Sequence, residues 1–248
     1  MSKIRPRAAL ITGGSTGIGL SIARVLAKEG LNITITSRDM NKLTNVVKHK
    51  DFKNITVIPM ELELLSKESI NEVIQKSIDK FGGLDVLVNN AATPLIKPAI
   101  NVSWDDWDIV VNSNLKGSYF MSTLFADHCI TKKKNGSIIN ISSTHGLVGL
   151  AGRTVYGISK GGMIQMTRML AIEWAKDNIR VNTISPATVM TESRQKSLDH
   201  SARKNMLNRI PLGQFPEDVD VADAALFLVN SKNITGQNIA VDGGLTAI

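Results

Sequence analysis

Seven short runs of β-branched and aliphatic residues alternate along this chain with longer segments whose apolar residues recur at helical spacing. The runs are Ala8–Ile11, Ile33–Thr36, Ile55–Ile58, Leu84–Val88, Ser137–Ile141, Val181–Ile184 and Ile239–Val241, and each reads as a buried strand. Between them, Ile18, Ile22, Val25 and Leu26 form one stripe and Ile70, Val73, Ile74 and Ile78 another. Strand–helix–strand alternation needs crossovers, and right-handed crossovers build a parallel sheet with helices on both faces. The chain is therefore expected to be α/β, a doubly wound sheet of seven parallel strands. No Pro-, Gly- or Ser-rich linker and no repeat divides the 248 residues, so 1–248 is read as one domain. The stretch 189–216 is the exception to the alternation. It follows a strand, carries no strand signal of its own and ends in Ile210-Pro211-Leu212-Gly213, which suits a lid at the carboxyl end of a strand.

Composition narrows the function classes. The chain is 43% hydrophobic and 21% charged, values of ordinary soluble proteins that exclude wholesale disorder, collagen and coiled coil. Cys129 is the single cysteine, so no intrachain disulfide and no four-cysteine zinc site can form. The histidines His49, His128, His145 and His200 are scattered, and no metal site is expected. The net charge of +7 favours anionic partners, but the lysines are dispersed and aromatics are only 4%. That is not the footprint of a nucleic-acid binder. The basic start, Met1 to Arg7, is not followed by a signal-peptide core, and no apolar run approaches the ~18–20 residues that span a bilayer. A cytoplasmic protein with neither nucleic acid nor membrane as partner is the expectation.

The first strand runs into Thr12-Gly13-Gly14-Ser15-Thr16-Gly17-Ile18-Gly19, and a helical stripe follows at once. Glycines permit a tight turn and close approach of backbone to a pyrophosphate, while the helix start offers N–H groups and a positive dipole end. This is the Rossmann arrangement, although the spacing is GxxxGxG rather than GxGxxG. The second strand ends in Thr36-Ser37-Arg38, where such folds read the adenosine ribose. An acidic side chain there would favour NAD(H); uncharged Ser37 with Arg38, which can hold a phosphate bidentately, favours NADP(H). Tyr156 and Lys160 share a helix face at i and i+4. A tyrosine titrates near ~10, and a neighbouring cation stabilises its phenolate, which suits proton transfer near neutral pH. Thirteen residues upstream Ser143 ends a strand in Asn140-Ile141-Ser142-Ser143, Asn89-Asn90-Ala91 ends another, and Asn114 follows a helical start. In a doubly wound sheet these ends converge on one crevice.

On these motifs, with Ser185-Pro186, Thr191, Thr235-Gly236-Gln237 and Val241-Asp242-Gly243-Gly244, the sequence resembles the short-chain dehydrogenase/reductase family over nearly its whole length. The resemblance implies a carbonyl–alcohol oxidoreductase with Tyr156 as acid/base, Ser143 bonded to the substrate oxygen, Lys160 on Tyr156 and the nicotinamide ribose, and Asn114 on a relay water. It further implies cofactor contacts from Gly13, Ser15, Thr16, Gly17, Ile18 and Gly19 at the pyrophosphate. Ser37 and Arg38, Glu63 and Leu64, and Asn90, Ala91 and Ala92 would hold the adenosine end; Tyr156, Lys160, Pro186, Ala187, Val189 and Thr191 would hold the nicotinamide end. Ala92 and Ala187 stand where the family usually has glycine, a change that costs little unless φ is positive. Thr16 stands where NADPH enzymes often carry a basic residue, so the NADPH expectation rests on Arg38.

Segments 93–100 and 145–154 and the lid should frame the substrate, with Ser143, His145, Leu150 and Tyr156 touching it. In the lid Arg194, Lys196, Arg203, Lys204 and Arg209 face only Glu192 and Asp199, which suits an acidic carrier or thioester. The chain is most similar in pattern to 3-oxoacyl-[acyl-carrier-protein] reductases, with acyl-carrier protein as a partner. Asp177 replaces a carrier-docking arginine of those enzymes, while Lys132-Lys133-Lys134 could supply another docking charge. A sugar, polyol or sugar-acid dehydrogenase of gluconate type is the second reading, and a non-catalytic nucleotide sensor the third. The resemblance also implies a homotetramer formed through Trp107–Ile130, Val155–Trp174 and the last strand.

Overall fold

The computed structural model describes residues 7–190 and 199–247. Thr191 and the lid residues Glu192, Arg194 and Lys196 lie outside them. Strands β1 (Ala8–Ile11), β2 (Asn32–Ser37), β3 (Val57–Glu61), β4 (Val86–Asn89), β5 (Gly136–Ile141), β6 (Ile179–Pro186) and β7 (Asn238–Val241) form one sheet in the order β3-β2-β1-β4-β5-β6-β7. Every pairing is parallel. The order turns outward in both directions from β1 and β4, which makes their carboxyl ends the switch point.

Helices α1 (Gly17–Lys28), α2 (Met40–Val46), α3 (Lys67–Phe81), α4 (Trp104–Val111), α5 (Ser118–Thr131), α6 (Thr154–Trp174), α7 (His200–Leu207) and α8 (Asp218–Asn230) supply the crossovers and the outer segments. Alternation along β1 divides the core. Ala8 and Leu10 pack with Ile70, Val73, Met121, Phe125, Met163 and Leu170 of α3, α5 and α6. Ala9 and Ile11 pack on the other face with Ile22, Leu26, Leu43, Val221 and Leu228 of α1, α2 and α8. Both helical stripes read from the sequence thus face the sheet.

Strand positions follow the sequence closely except at the edge. The run Ile55–Ile58 is displaced to Val57–Glu61, because pairing with β2 sets the register from Ile33↔Val57 to Ser37↔Glu61. Pro59 sits inside this edge strand, where its missing N–H leaves no ladder bond unmade on the open side. Between α4 and α5 the helix widens into a π-helical turn, Asn112–Gly117, that inserts Asn114 into the interior. Arg180 in β6 donates to the carbonyls of Leu228, Val229 and Ile234 and so closes the carboxyl end of α8. No helix of the described residues is long and apolar enough to cross a membrane.

Candidate active site

At the switch point β1 passes into the glycine turn. Thr12 Oγ1, buried, accepts from the N–H groups of Asn90 at 2.9 Å and Ala91 at 3.0 Å, and donates to Val88 O at 3.3 Å, clasping the ends of β1 and β4. Asn90 Nδ2 donates to the carbonyls of Thr12 and Gly13, both at 3.0 Å. The turn fits this tightly because it has no side chains in the way. A Cβ on Gly19 would stand 2.5 Å from Asn90 Nδ2, and Gly13 has φ +66°. Thr16 precedes α1 without capping it through its side chain, and no acidic residue occupies the first turn, so the helix start presents N–H donors and positive potential. A hollow of about 370 Å³ opens here, lined by Gly13, Ser15, Thr16, Gly17, Ile18 and Gly19. Ser37, Arg38, Glu63, Leu64, Asn90, Ala91 and Ala92 complete its wall. Uncapped donors, a basic side chain at the end of β2 and a glycine-lined floor fit a dinucleotide. Asp39, the acid nearest Arg38 in sequence, accepts from the N–H groups of Asn41 and Lys42 to start α2, and pairs with Lys42 at 3.7 Å.

A second cleft of about 390 Å³ shares Ile18, Asn90 and Ala92 with the first and runs past β5 and α6. Its wall holds Ser143, His145, Tyr156 and Lys160, with Pro186, Ala187 and Val189 from the end of β6. Two glycines bring this wall together. A Cβ on Gly146 would meet the Lys160 carbonyl carbon at 2.8 Å, and one on Gly157 would meet His145 O at 2.8 Å, so the turn carrying Ser143 lies directly on α6. Ser143 Oγ accepts from His145 N at 3.2 Å. The His145 ring meets the Tyr156 ring edge-on, centroids 6.2 Å apart. Lys160 is 1% exposed; its Nζ donates to Ile141 O at 2.7 Å and lies 5.8 Å from the centre of the Tyr156 ring. Burial pushes its pKa down to about 7, so the cation that the sequence places beside Tyr156 is conditional on pH.

Asn114 and Leu150 lie off this wall. Asn114 is fully buried behind it: its amide donates to Thr93 O and Ser159 Oγ at 3.0 and 3.1 Å and accepts from Thr93 N at 2.7 Å. Leu150, 38% exposed, closes a surface turn through Arg153 N and is not part of the cleft lining. Ala92 and Ala187 have no positive φ, since among described non-glycine residues only Lys133 and Asn178 do, and their extra methyl groups are tolerated. Sequence reading passed over Ser142, whose Oγ donates to Lys160 O, and Ser159, which links Asn114 to Tyr156 O. Hydroxyls at a strand end or within a helix give no signal until the fold brings the two partners together. Lys132-Lys133-Lys134 and Asp177 end α5 and α6 at the amino edge of the sheet, the edge opposite the cleft in the same chain. Among the described residues no three metal-ligating side chains cluster.

A doubly wound parallel sheet with an uncapped glycine turn at its switch point, and a serine, tyrosine and lysine beside it, defines a nicotinamide-dependent oxidoreductase. Residues 13–246 match the family model described as enoyl-(acyl carrier protein) reductase. The 3-oxoacyl-[acyl-carrier-protein] reductase of Thermotoga maritima is 38% identical over 98% of this chain and 99% of its own. Among solved structures, a putative short-chain alcohol dehydrogenase from Sinorhizobium meliloti superposes with TM-score 0.93 at 34% identity, covering 98% of both chains. ElxO with NADP bound gives 0.92 at 31% identity, covering 99% of this chain and all of its own. The chain belongs to the short-chain dehydrogenase/reductase family and is an NAD(P)-dependent oxidoreductase.

Proposed function

We propose that this enzyme reduces a 3-oxoacyl thioester, presented by an acyl-carrier protein, at the expense of NADPH. The observation that carries the reading is one continuous cleft with the dinucleotide hollow at one end and Ser143, Tyr156 and Lys160 at the other. The relative from Thermotoga maritima supports the choice of substrate. In this reading Gly13, Ser15, Thr16, Gly17, Ile18 and Gly19 hold the pyrophosphate, Ser37 and Arg38 the 2′-phosphate, and Pro186, Ala187, Val189 and Thr191 the nicotinamide end. The cofactor supplies the hydride when bound. Tyr156 gives its phenolic proton to the substrate oxygen, and the Ser143 hydroxyl donates a hydrogen bond to the same atom as negative charge develops on it. Lys160, while protonated, stabilises the phenolate that remains. Asn114 fixes the segment behind Lys160 through which that phenolate recovers a proton. The stretch 189–216 closes over the substrate, and four copies assemble through α4, α5, α6 and β7.

Following NADPH oxidation with acetoacetyl-coenzyme A tests the proposal. Turnover should be lost by at least a thousandfold in Tyr156→Phe, with NADPH binding changed less than threefold. Turnover that survives in the variant overturns the mechanism. Absence of thioester turnover alongside oxidation of sugar acids would replace the substrate assignment with the dehydrogenase reading.

A further inference from the structure

We infer that Asp242 is a positioning residue: it folds the end of the chain into a mount that holds residues 186–189 and residues 210–212 in register beside the substrate cleft. The inference rests on the proposed reduction in that cleft. Among the described residues, the closing motif Val241-Asp242-Gly243-Gly244 lies outside the lining of both hollows, yet Asp242 is only 6% exposed. Its carboxylate grips the chain that follows. Oδ1 accepts from Gly244 N at 2.9 Å, and Oδ2 accepts from Thr246 N at 2.9 Å and Thr246 Oγ1 at 2.7 Å. An ionised acceptor makes each of these bonds stronger than a neutral one would. Residues 242–246 are thereby closed into one turn directly after β7.

Two joints meet on this turn. On one side Pro186 pairs with Val241, and Ala187 N donates to Val241 O at 3.0 Å. Pro186, Ala187 and Val189 form the end of the cleft wall that the proposed reduction gives to the nicotinamide. On the other side Leu212 N donates to Gly243 O at 3.0 Å, and Ile210, 5% exposed, packs on Gly243. A Cβ on Gly243 would stand 2.5 Å from Ile210 Cγ2, and one on Gly244 would stand 3.1 Å from Pro211 Cγ. Gly243 at φ +64° and Gly244 at φ +91° also take a backbone that side chains rarely adopt. Asp242 fixes that backbone by holding the N–H groups on both sides of Leu245. Without the carboxylate the two joints shift independently, and a displacement of ~1 Å at the reacting atoms can cost about a hundredfold in rate.

The test is a single turnover of acetoacetyl-coenzyme A by the NADPH-loaded protein, in which the rate constant reports geometry and the amplitude reports the folded fraction. Asp242→Ala should lower the rate constant at least tenfold, with the Kd for NADPH within threefold of the wild type. Thr246→Val removes only the hydroxyl bond and should lower the rate constant about threefold, with recovery in Thr246→Ser. A loss confined to the amplitude, as expected for a role in stability alone, overturns the inference and leaves carbonyl reduction standing. If Asp242→Ala does not fold, an unchanged rate constant in Thr246→Val does the same. Hydrogen exchange reads the joints directly. The amides of Leu212 and Ala187 should exchange at least threefold faster in Thr246→Val, while that of Thr12, bonded to Val88 O, is unchanged. If the wild type reduces no thioester, the proposed function fails instead and exchange alone decides. Faster exchange at both joints upholds the inference; unchanged exchange, or equal acceleration at Thr12, overturns it.

Discussion

Lys160 is the long cation least at home in its surroundings: it is buried, among the described residues its ammonium donates to Ile141 O alone, and its pKa falls from 10.5 to about 7. Between those values the unfolded chain holds a proton that the folded chain has released. Stability of the cofactor-free protein should therefore rise with pH across that window, by ~1.4 kcal/mol per pH unit, and the penalty is fully present below pH 7. Denaturant unfolding at two pH values in the window checks this: the rise should vanish in Lys160→Met, and equal slopes would refute it. Arg38 is the second residue with a measurable consequence. With Asp39 committed to α2 and Lys42, Arg38→Leu should lower the ratio of kcat/KM for NADPH to that for NADH at least tenfold. Tyr156, Ser143, Lys160 and Arg38 were legible in the sequence because their spacing or their position at a strand end carries chemistry. Ser142 and Ser159 were not, since the tie of Ser142 to Lys160 and of Ser159 to Asn114 exists only once another element supplies the partner.

At the scale of elements, the meeting of the Ser143 turn with α6 is the contact that sets Ser143 beside Tyr156 and Lys160. Gly146→Ala sets a methyl group 2.8 Å from backbone atoms that cannot retreat, and must lift the turn from the helix. Its kcat should drop at least tenfold while NADPH affinity, governed by the distant glycine turn, stays within threefold. Stopped-flow hydride transfer with a parallel fluorescence titration separates the two. The same scale explains where sequence reading slipped. Strands buried on both faces, such as β1 and β5, announce themselves as apolar runs. β3, at the edge and half-buried, has its ends set by the neighbouring strand, and the π turn that seats Asn114 leaves no mark in apolar spacing.

For the whole molecule, the outer faces of α4, α5 and α6 are the least finished. Trp107, Ile109, Tyr119 and Phe120 are 39–47% exposed, and Met169 and Ile172 are 61% and 81% exposed. A groove lined by Val111, Leu115, Tyr119, Met166, Met169 and Leu170 runs between α5 and α6. The proposed tetramer would cover these surfaces, so light scattering should report four chains per particle and Met169→Glu should yield smaller species. A monomeric wild type would refute the assembly. The strand order carries a further consequence. Ala8 N donates to Asp85, 77 residues away, and the glycine turn is locked only when Asn90 arrives. During synthesis the first 80 residues must therefore leave the ribosome with the middle of their sheet open, and a nucleotide offered to that fragment finds no complete pocket. Until the segment 85–90 has emerged and β4 docks beside β1, that edge of β1 stays open, and pairing with another chain there competes with closure of this long loop.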